Sequence, residues 1–193
     1  MLIWSHNEKI PKFLKASIFE RIEENHIDKT KFYTSFIGSE GDKFSDLLLG
    51  YYDDVIKQIM INVGMYSRST YTYNIWVQMY NSETDTHNAH SHFGGNEILS
   101  FNHIINASQD KCFYFLDNDN NKIYPDNQKE GDLFAWPSWA MHGVDKVKES
   151  NVNRLIVAGN VSLTHFYGGD RDTTISCADN GSGTIIWKPI DIT

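Results

Sequence analysis

The sequence predicts an α+β protein whose main body is an antiparallel β-sandwich or barrel. Three observations carry that expectation. Apolar residues between about 12 and 63 recur near helical spacing, whereas from Ser69 onward the chain is β-branched and aromatic. Turn-rich stretches then cut it into short strand-length pieces. Aromatic residues make up 13% of 193, enough for a sizeable core. The length suits a single domain over 1–193. It divides into a helical part at about 12–63, a β core at about 69–163 and an extension at 164–193.

Taken in order, residues 1–12 read as an extended lead-in. Phe13, Leu14, Ile18, Phe19 and Ile22 predict a helix from Lys12 to about Glu24. Residues 25–42, with Gly38-Ser39-Glu40-Gly41, read as a loop. A second helix is expected from Phe44 to about Asn62, carried by Leu47, Leu48, Tyr51, Val55, Ile56 and Ile59. Ser45 is its candidate cap and Gly64 its terminator. Strands are expected at 70–80, 98–106, 111–116, 131–136, 141–147 and 153–163, with a turn at Asp117–Asn121. The extension holds Gly168-Gly169, Gly181-Ser182-Gly183 and then Thr184–Trp187, an edge strand or a lid.

A net charge of −8 without a run of Lys or Arg argues against nucleic acid as the main partner. Cys112 and Cys177 lack CxxC spacing and are expected to be free thiols in a reducing compartment. The first residues lack a signal-peptide layout, and no apolar run approaches the roughly eighteen residues of a membrane span. The expectation is a soluble, cytoplasmic protein.

The chemistry concentrates between His90 and Arg154. On a strand, His90 and His92 would share a face, setting two imidazoles side by side. His142 can return to them in a barrel, and transition metals use such sets. With eight histidines in the chain, one chance pair is the ordinary explanation. His87, expected in the loop before the pair, and His103 are weaker candidates. Arg154 opens an otherwise apolar strand; if buried, its guanidinium needs a ligand carboxylate or a protein one such as Asp145, and the plain alternative is exposure at the strand start. Gln78 and Tyr80 would share a strand face and could hold a polar ligand.

These residues resemble the iron(II)/2-oxoglutarate-dependent oxygenases, and within them the small prolyl-hydroxylase-like group of bacteria and phages. Trp76 and Tyr80 precede His90 and His92. Gly131, Leu133, Pro137, Ser138, Trp139, His142 and Val144 follow, then Arg154 and Asn160. Gln78 stands where the group has Asn, and Ile156 where it has Ser. The resemblance covers roughly residues 70–163, and the segment around Pro137 is its most specific part. It implies a double-stranded β-helix, or jelly roll, binding Fe(II) and 2-oxoglutarate and using O2 to hydroxylate an unidentified substrate. His90 and His142 would be metal ligands. Arg154 would bind the distal carboxylate of 2-oxoglutarate, with Tyr80, Gln78 and Asn160 beside it. Trp136, Trp139 and loop 81–89 are candidate walls. The usual triad has a carboxylate where this chain has His92, so His92 is the expected third ligand and Glu97 its alternative.

Cupins are the rival resemblance. They share the jelly roll, and His90, His92, Glu97 and His142 follow their ligand order. Trp139 stands where they favour Gly, and they give Arg154 no role. A third possibility is a jelly-roll binding or structural module without catalysis.

Overall fold

The computed structural model describes residues 2–28, 30–37, 42–65, 69–84, 86–92, 94–109, 111–168, 171–174, 188–190 and 192. The two helices form where the apolar spacing places them. Helix α1 (Lys12–Asn25) buries Leu14, Ile18 and Ile22, one stripe of its surface. Helix α2 (Lys43–Asn62) buries Leu48, Tyr52, Val55, Ile56 and Ile59. Its cap is Asp42 rather than Ser45: the Asp42 carboxylate accepts from the Phe44 N–H and from the Ser45 hydroxyl. Gly64, at φ 77°, takes the left-handed conformation that closes the helix.

Two strands of the N-terminal part lie in segments expected to be irregular. β1 (Trp4–Asn7) lies in the lead-in, and β2 (Tyr33–Ile37) in the stretch expected as a loop. Three of the four β1 residues are exposed, so it shows no alternation to detect. Its order comes from pairing with β8, a partner far along the chain.

The remaining strands are β3 (Thr70–Tyr80), β4 (His87–His90), β5 (Glu97–Asn106), β6 (Phe113–Leu116), β7 (Lys122–Ile123) and β8 (Asp132–Pro137). They continue with β9 (His142–Val144), β10 (Arg154–Gly168), β11 (Arg171–Thr174) and β12 (Lys188–Ile190). Among the described residues the large sheet runs β1-β8-β5-β10-β3-β12, with β11 on β10 and β2 on β3. β2 and β12 share one edge of β3, pairing with Ile75–Met79 and Tyr71–Tyr73 respectively. The small sheet runs β4-β9-β6-β7, and every pairing is antiparallel.

Strand alternation divides the large sheet into two faces. Tyr73, Ile75 and Val77 of β3, with Leu155 and Val157 of β10, pack against the helices. Trp76, Tyr80, Ile156 and Trp136 face the small sheet, where they meet Phe113 and Phe115. Burying each aliphatic side chain of these layers contributes roughly 1.5–3 kcal/mol against the entropy of ordering it. The helices therefore buttress one face of the large sheet, and the opposed sheets enclose the functional residues. This is a double-stranded β-helix, mainly β with N-terminal supporting helices.

Cys112 is buried. Cys177, Gly169, Gly181–Gly183 and Thr184–Trp187 lie outside the described residues. No helix among the described residues is long and apolar enough to cross a membrane.

Candidate functional site

Antiparallel pairing of β4 with β9 sets His90 directly opposite His142. His92 reaches them differently from the expected strand alternation, because β4 ends at His90. Its backbone N–H donates to the Ser138 carbonyl at 2.9 Å, and its ring stacks on Trp76 with centroids 5.7 Å apart. Asn160 hydrogen-bonds the same ring. One candidate ligand atom from each of His90, His92 and His142 lies within 4.8 Å of the other two. The Nε2 atoms of His90 and His92 are 3.2 Å apart. Two nitrogens bound side by side to one ion at about 2.1 Å stand about 3 Å apart, so the spacing suits a shared ion.

Hydrogen bonds orient two of these rings. His90 Nδ1 donates to the Asn88 carbonyl at 2.8 Å, and His142 Nδ1 to the Ala140 carbonyl at 2.9 Å. Each Nε2 is left with its lone pair, the arrangement a metal ligand needs. Burial pushes the His142 pKa down to about 3, with the neighbouring imidazoles adding to it and the Ala140 carbonyl opposing. Burial likewise holds His92 and His87 at about 4, with the neighbouring His90 imidazole adding to it. At neutral pH these rings present lone pairs rather than protons.

The cluster opens into a cavity of about 420 Å³, a size that suits a small-molecule ligand. Gln78 and Tyr80 share a face of β3 and both line it. The Tyr80 hydroxyl donates to Gln78 Oε1 at 2.9 Å and stands 3.0 Å from His87 Nδ1. Gln78 Nε2 in turn donates to Thr34 Oγ1 at 3.2 Å. Asn160 also lines the cavity, its Oδ1 accepting from Ser100 Oγ at 2.8 Å. Trp136 is on the wall, while Trp139 is 52% exposed and is not.

Arg154 is 1% exposed, and its two terminal nitrogens have no hydrogen-bond partner among the described residues. Asp145, its conceivable protein partner, is taken by Lys122 and Tyr124. Arg154 shares the β10 face of Ile156, Ala158 and Asn160, all cavity residues, but does not itself form the wall. Its Cζ lies 5.9 Å from the ring centroid of Tyr80, which does. Burial pushes its pKa down.

Glu97 lines the same cavity outside the three-histidine cluster. His103 belongs to the helix side, held by the Tyr52 hydroxyl at 2.8 Å and the Glu8 carbonyl at 2.6 Å. His87 is the residue that sequence reasoning undervalued. It opens β4 rather than lying in a loop, lines the cavity and stacks on His90 with centroids 4.4 Å apart. Its signal was the spacing to His90, three residues on, but only the strand pairing shows both rings turning to one place.

Fold and cluster together define a double-stranded β-helix with three imidazoles placed to hold one metal ion inside it. Solved structures with this architecture include a Pseudomonas putida prolyl-4-hydroxylase, with TM-score 0.60, 14% identity, and coverage of 82% of this chain and 91% of that one. The α-ketoglutarate-dependent carbocyclase SnoK of nogalamycin biosynthesis is similar over 96% of this chain and 90% of its own, with TM-score 0.67 and 9% identity. A viral collagen prolyl hydroxylase of Paramecium bursaria Chlorella virus-1 covers 83% of this chain and 96% of its own, with TM-score 0.55 and 8% identity. At such identity the likeness establishes the fold. No family model matches the sequence, and no curated protein matches it significantly.

Proposed function

We propose that this protein is an Fe(II)/2-oxoglutarate-dependent dioxygenase that hydroxylates a substrate C–H bond. The observation that carries the reading is Arg154 on the cavity face of β10, buried, with no hydrogen-bond partner for its two terminal nitrogens among the described residues. Such a charge is costly unless a ligand carboxylate satisfies it, and a guanidinium grips a carboxylate through two parallel hydrogen bonds. The donor set fits the metal: His90, His92 and His142 would hold it through neutral ring nitrogens. Bound iron(II), with 2-oxoglutarate and O2, supplies oxidative decarboxylation to succinate and the oxidising power for hydroxylation.

The chain's own residues bind and exclude. The Asn88 and Ala140 carbonyls fix two ligand rings, and Asn160 with Trp76 fixes the third. Arg154 would anchor the far carboxylate of the keto acid and so orient its chelating end. Tyr80 lines the cavity with its ring centroid 5.9 Å from the Arg154 guanidinium carbon, and would bound the carboxylate site beside it. Gln78 would steady the Tyr80 hydroxyl. Trp76 and Trp136 keep water from the reacting face.

A set of three neutral ligands carries one more positive charge than a set with a carboxylate, which favours anionic co-ligands such as the keto acid. The cupin alternative would use Glu97 as a fourth ligand, and its position outside the histidine cluster counts against that reading.

The test is metal-dependent turnover. Protein loaded anaerobically with Fe(II), then given 2-oxoglutarate and O2, should form succinate even without its proper substrate. His142→Ala should abolish it. Retained metal with neither succinate formation nor measurable 2-oxoglutarate binding would overturn the proposal in favour of the cupin alternative. Carriage within the cytoplasm and a single domain over 1–193 are part of the same reading.

A further inference from the structure

β5 and β10 lose register at one point near the cavity. Leu99 pairs with Val161, but Glu97 pairs with Ser162, so Ile98 is an extra residue on β5. Such a bulge reverses the parity of the strand beyond it. Ile98 packs with the helix-side core, as Leu99 and Phe101 do. Glu97, which regular alternation would also have sent to that side, instead stands opposite Ser162. It thereby joins the face of Ala158 and Asn160 and lines the cavity.

The cost of that placement is visible. Glu97 is 8% exposed, and its Oε2 is buried without a hydrogen-bond partner. No Lys or Arg among the described residues pairs with it, and the cavity lining contains neither residue type. Histidines aside, Glu97 is the one carboxylate or cation lining that wall among the described residues. A carboxylate oriented this way is stabilised by a partner that brings positive charge and N–H donors.

That partner is not the keto acid. Glu97 would repel a dicarboxylate, and its β10 partner Ser162 lies eight residues beyond Arg154. At strand rise this is roughly 25 Å along the sheet, well beyond the length of 2-oxoglutarate. Ser162 is only two residues beyond Asn160, which holds His92. Glu97 therefore marks the opposite side of the metal cluster from Arg154, where the second reactant would lie.

We propose that Glu97 is a specificity determinant that binds a cationic nitrogen group of the substrate, a primary ammonium or a guanidinium. The proposal rests on the oxygenase reading for the word substrate, but the binding event itself does not. A basic small molecule or a basic side chain presents this chemistry equally, and the cavity volume accommodates either.

The test uses the full chain without metal or keto acid. Agmatine and 1,5-diaminopentane serve as cationic probes, with 1-pentanol as neutral control and glutarate as anionic control, each titrated by calorimetry or ligand-observed NMR. Saturable binding of a cationic probe at least tenfold tighter than pentanol is expected. Glu97→Gln should remove that preference while leaving pentanol affinity within twofold. Metal stoichiometry should be unchanged in Glu97→Gln; its loss would assign Glu97 to the metal and overturn the proposal. Equal affinity of the wild-type protein for cationic and neutral probes would overturn it without any variant. Cation binding in a protein that forms no succinate would support this inference while sinking the oxygenase reading. Succinate formation without cation preference would do the reverse.

Discussion

Replacing Arg154 by Met separates a ligand-binding arginine from a structural one, because the two roles predict opposite changes in stability. The guanidinium is 1% exposed and its terminal nitrogens lack partners among the described residues. Cys112 and the Tyr80 ring offer it electrostatic compensation, the ring at 5.9 Å, near the outer limit of a cation–π contact. Exchanging buried charge for an apolar side chain of similar volume commonly stabilises by about 1–4 kcal/mol. For a chain of this size each kcal/mol raises Tm by roughly 2–4 °C. The ligand-free Arg154→Met protein should therefore melt several degrees above wild type.

Its affinity for 2-oxoglutarate should move the other way. Two charge-assisted hydrogen bonds at about 1.5–3 kcal/mol each set an upper range, and part is recovered as water solvates the freed carboxylate. A loss of roughly a hundredfold to a thousandfold follows, at about 1.4 kcal/mol per tenfold. Differential scanning fluorimetry and equilibrium binding of 2-oxoglutarate to metal-loaded protein measure the two effects. A lower Tm with unchanged 2-oxoglutarate affinity would refute the reasoning and make Arg154 a structural residue.

Three further perturbations probe the rest of the site. Asn160→Ala removes the hydrogen bond that orients His92 and should weaken metal affinity about tenfold to a hundredfold, measured by competition with a chelator. A Cβ on Gly143 would lie 2.9 Å from the His87 carbonyl and 2.6 Å from the Tyr114 hydroxyl. The hydroxyl can swing aside but the carbonyl cannot, so Gly143→Ala should displace β4 and with it His90. Metal binding at wild-type strength in that variant would contradict the β4–β9 geometry. The third concerns acid. His87 and His92 titrate near 4 and His142 near 3 in the folded chain, against about 6.5 when unfolded. Folded values below the unfolded value mean that stability is full above pH 6.5 and drains away as pH falls toward 4. The Tm of metal-free protein should accordingly drop below pH 6.5, and His142→Phe should lessen the slope. An identical slope in the variant would show that His142 is not buried as described.

Much of the fold was legible because it rests on local periodicity. Leu14, Ile18 and Ile22 repeat at helical spacing, and in Thr70–Tyr80 the apolar set Tyr71, Tyr73, Ile75, Val77 and Met79 alternates with a more polar one, so α1, α2 and β3 follow from residues close in the chain. The metal candidates were legible as residue types: imidazoles two apart, a third beyond Pro137, and one arginine on an apolar strand. What could not be read depends on partners distant in sequence. β1 and β2 have no pattern strong enough to specify a strand and exist through pairing with β8 and β3. His92 joins the cluster through the Ser138 carbonyl, Trp76 and Asn160, not through the alternation that suggested it.

Chemical identity, then, was determined by the sequence alone: which side chains can bind a metal, grip a carboxylate or carry a charge. Direction was decided by tertiary structure. A single extra residue at Ile98 turns Glu97 from the helix core to the cavity, and the register of β4 on β9 turns His87 toward His90. A strand's faces alternate every residue, so a one-residue shift in pairing reverses where a side chain points while leaving its chemistry unchanged.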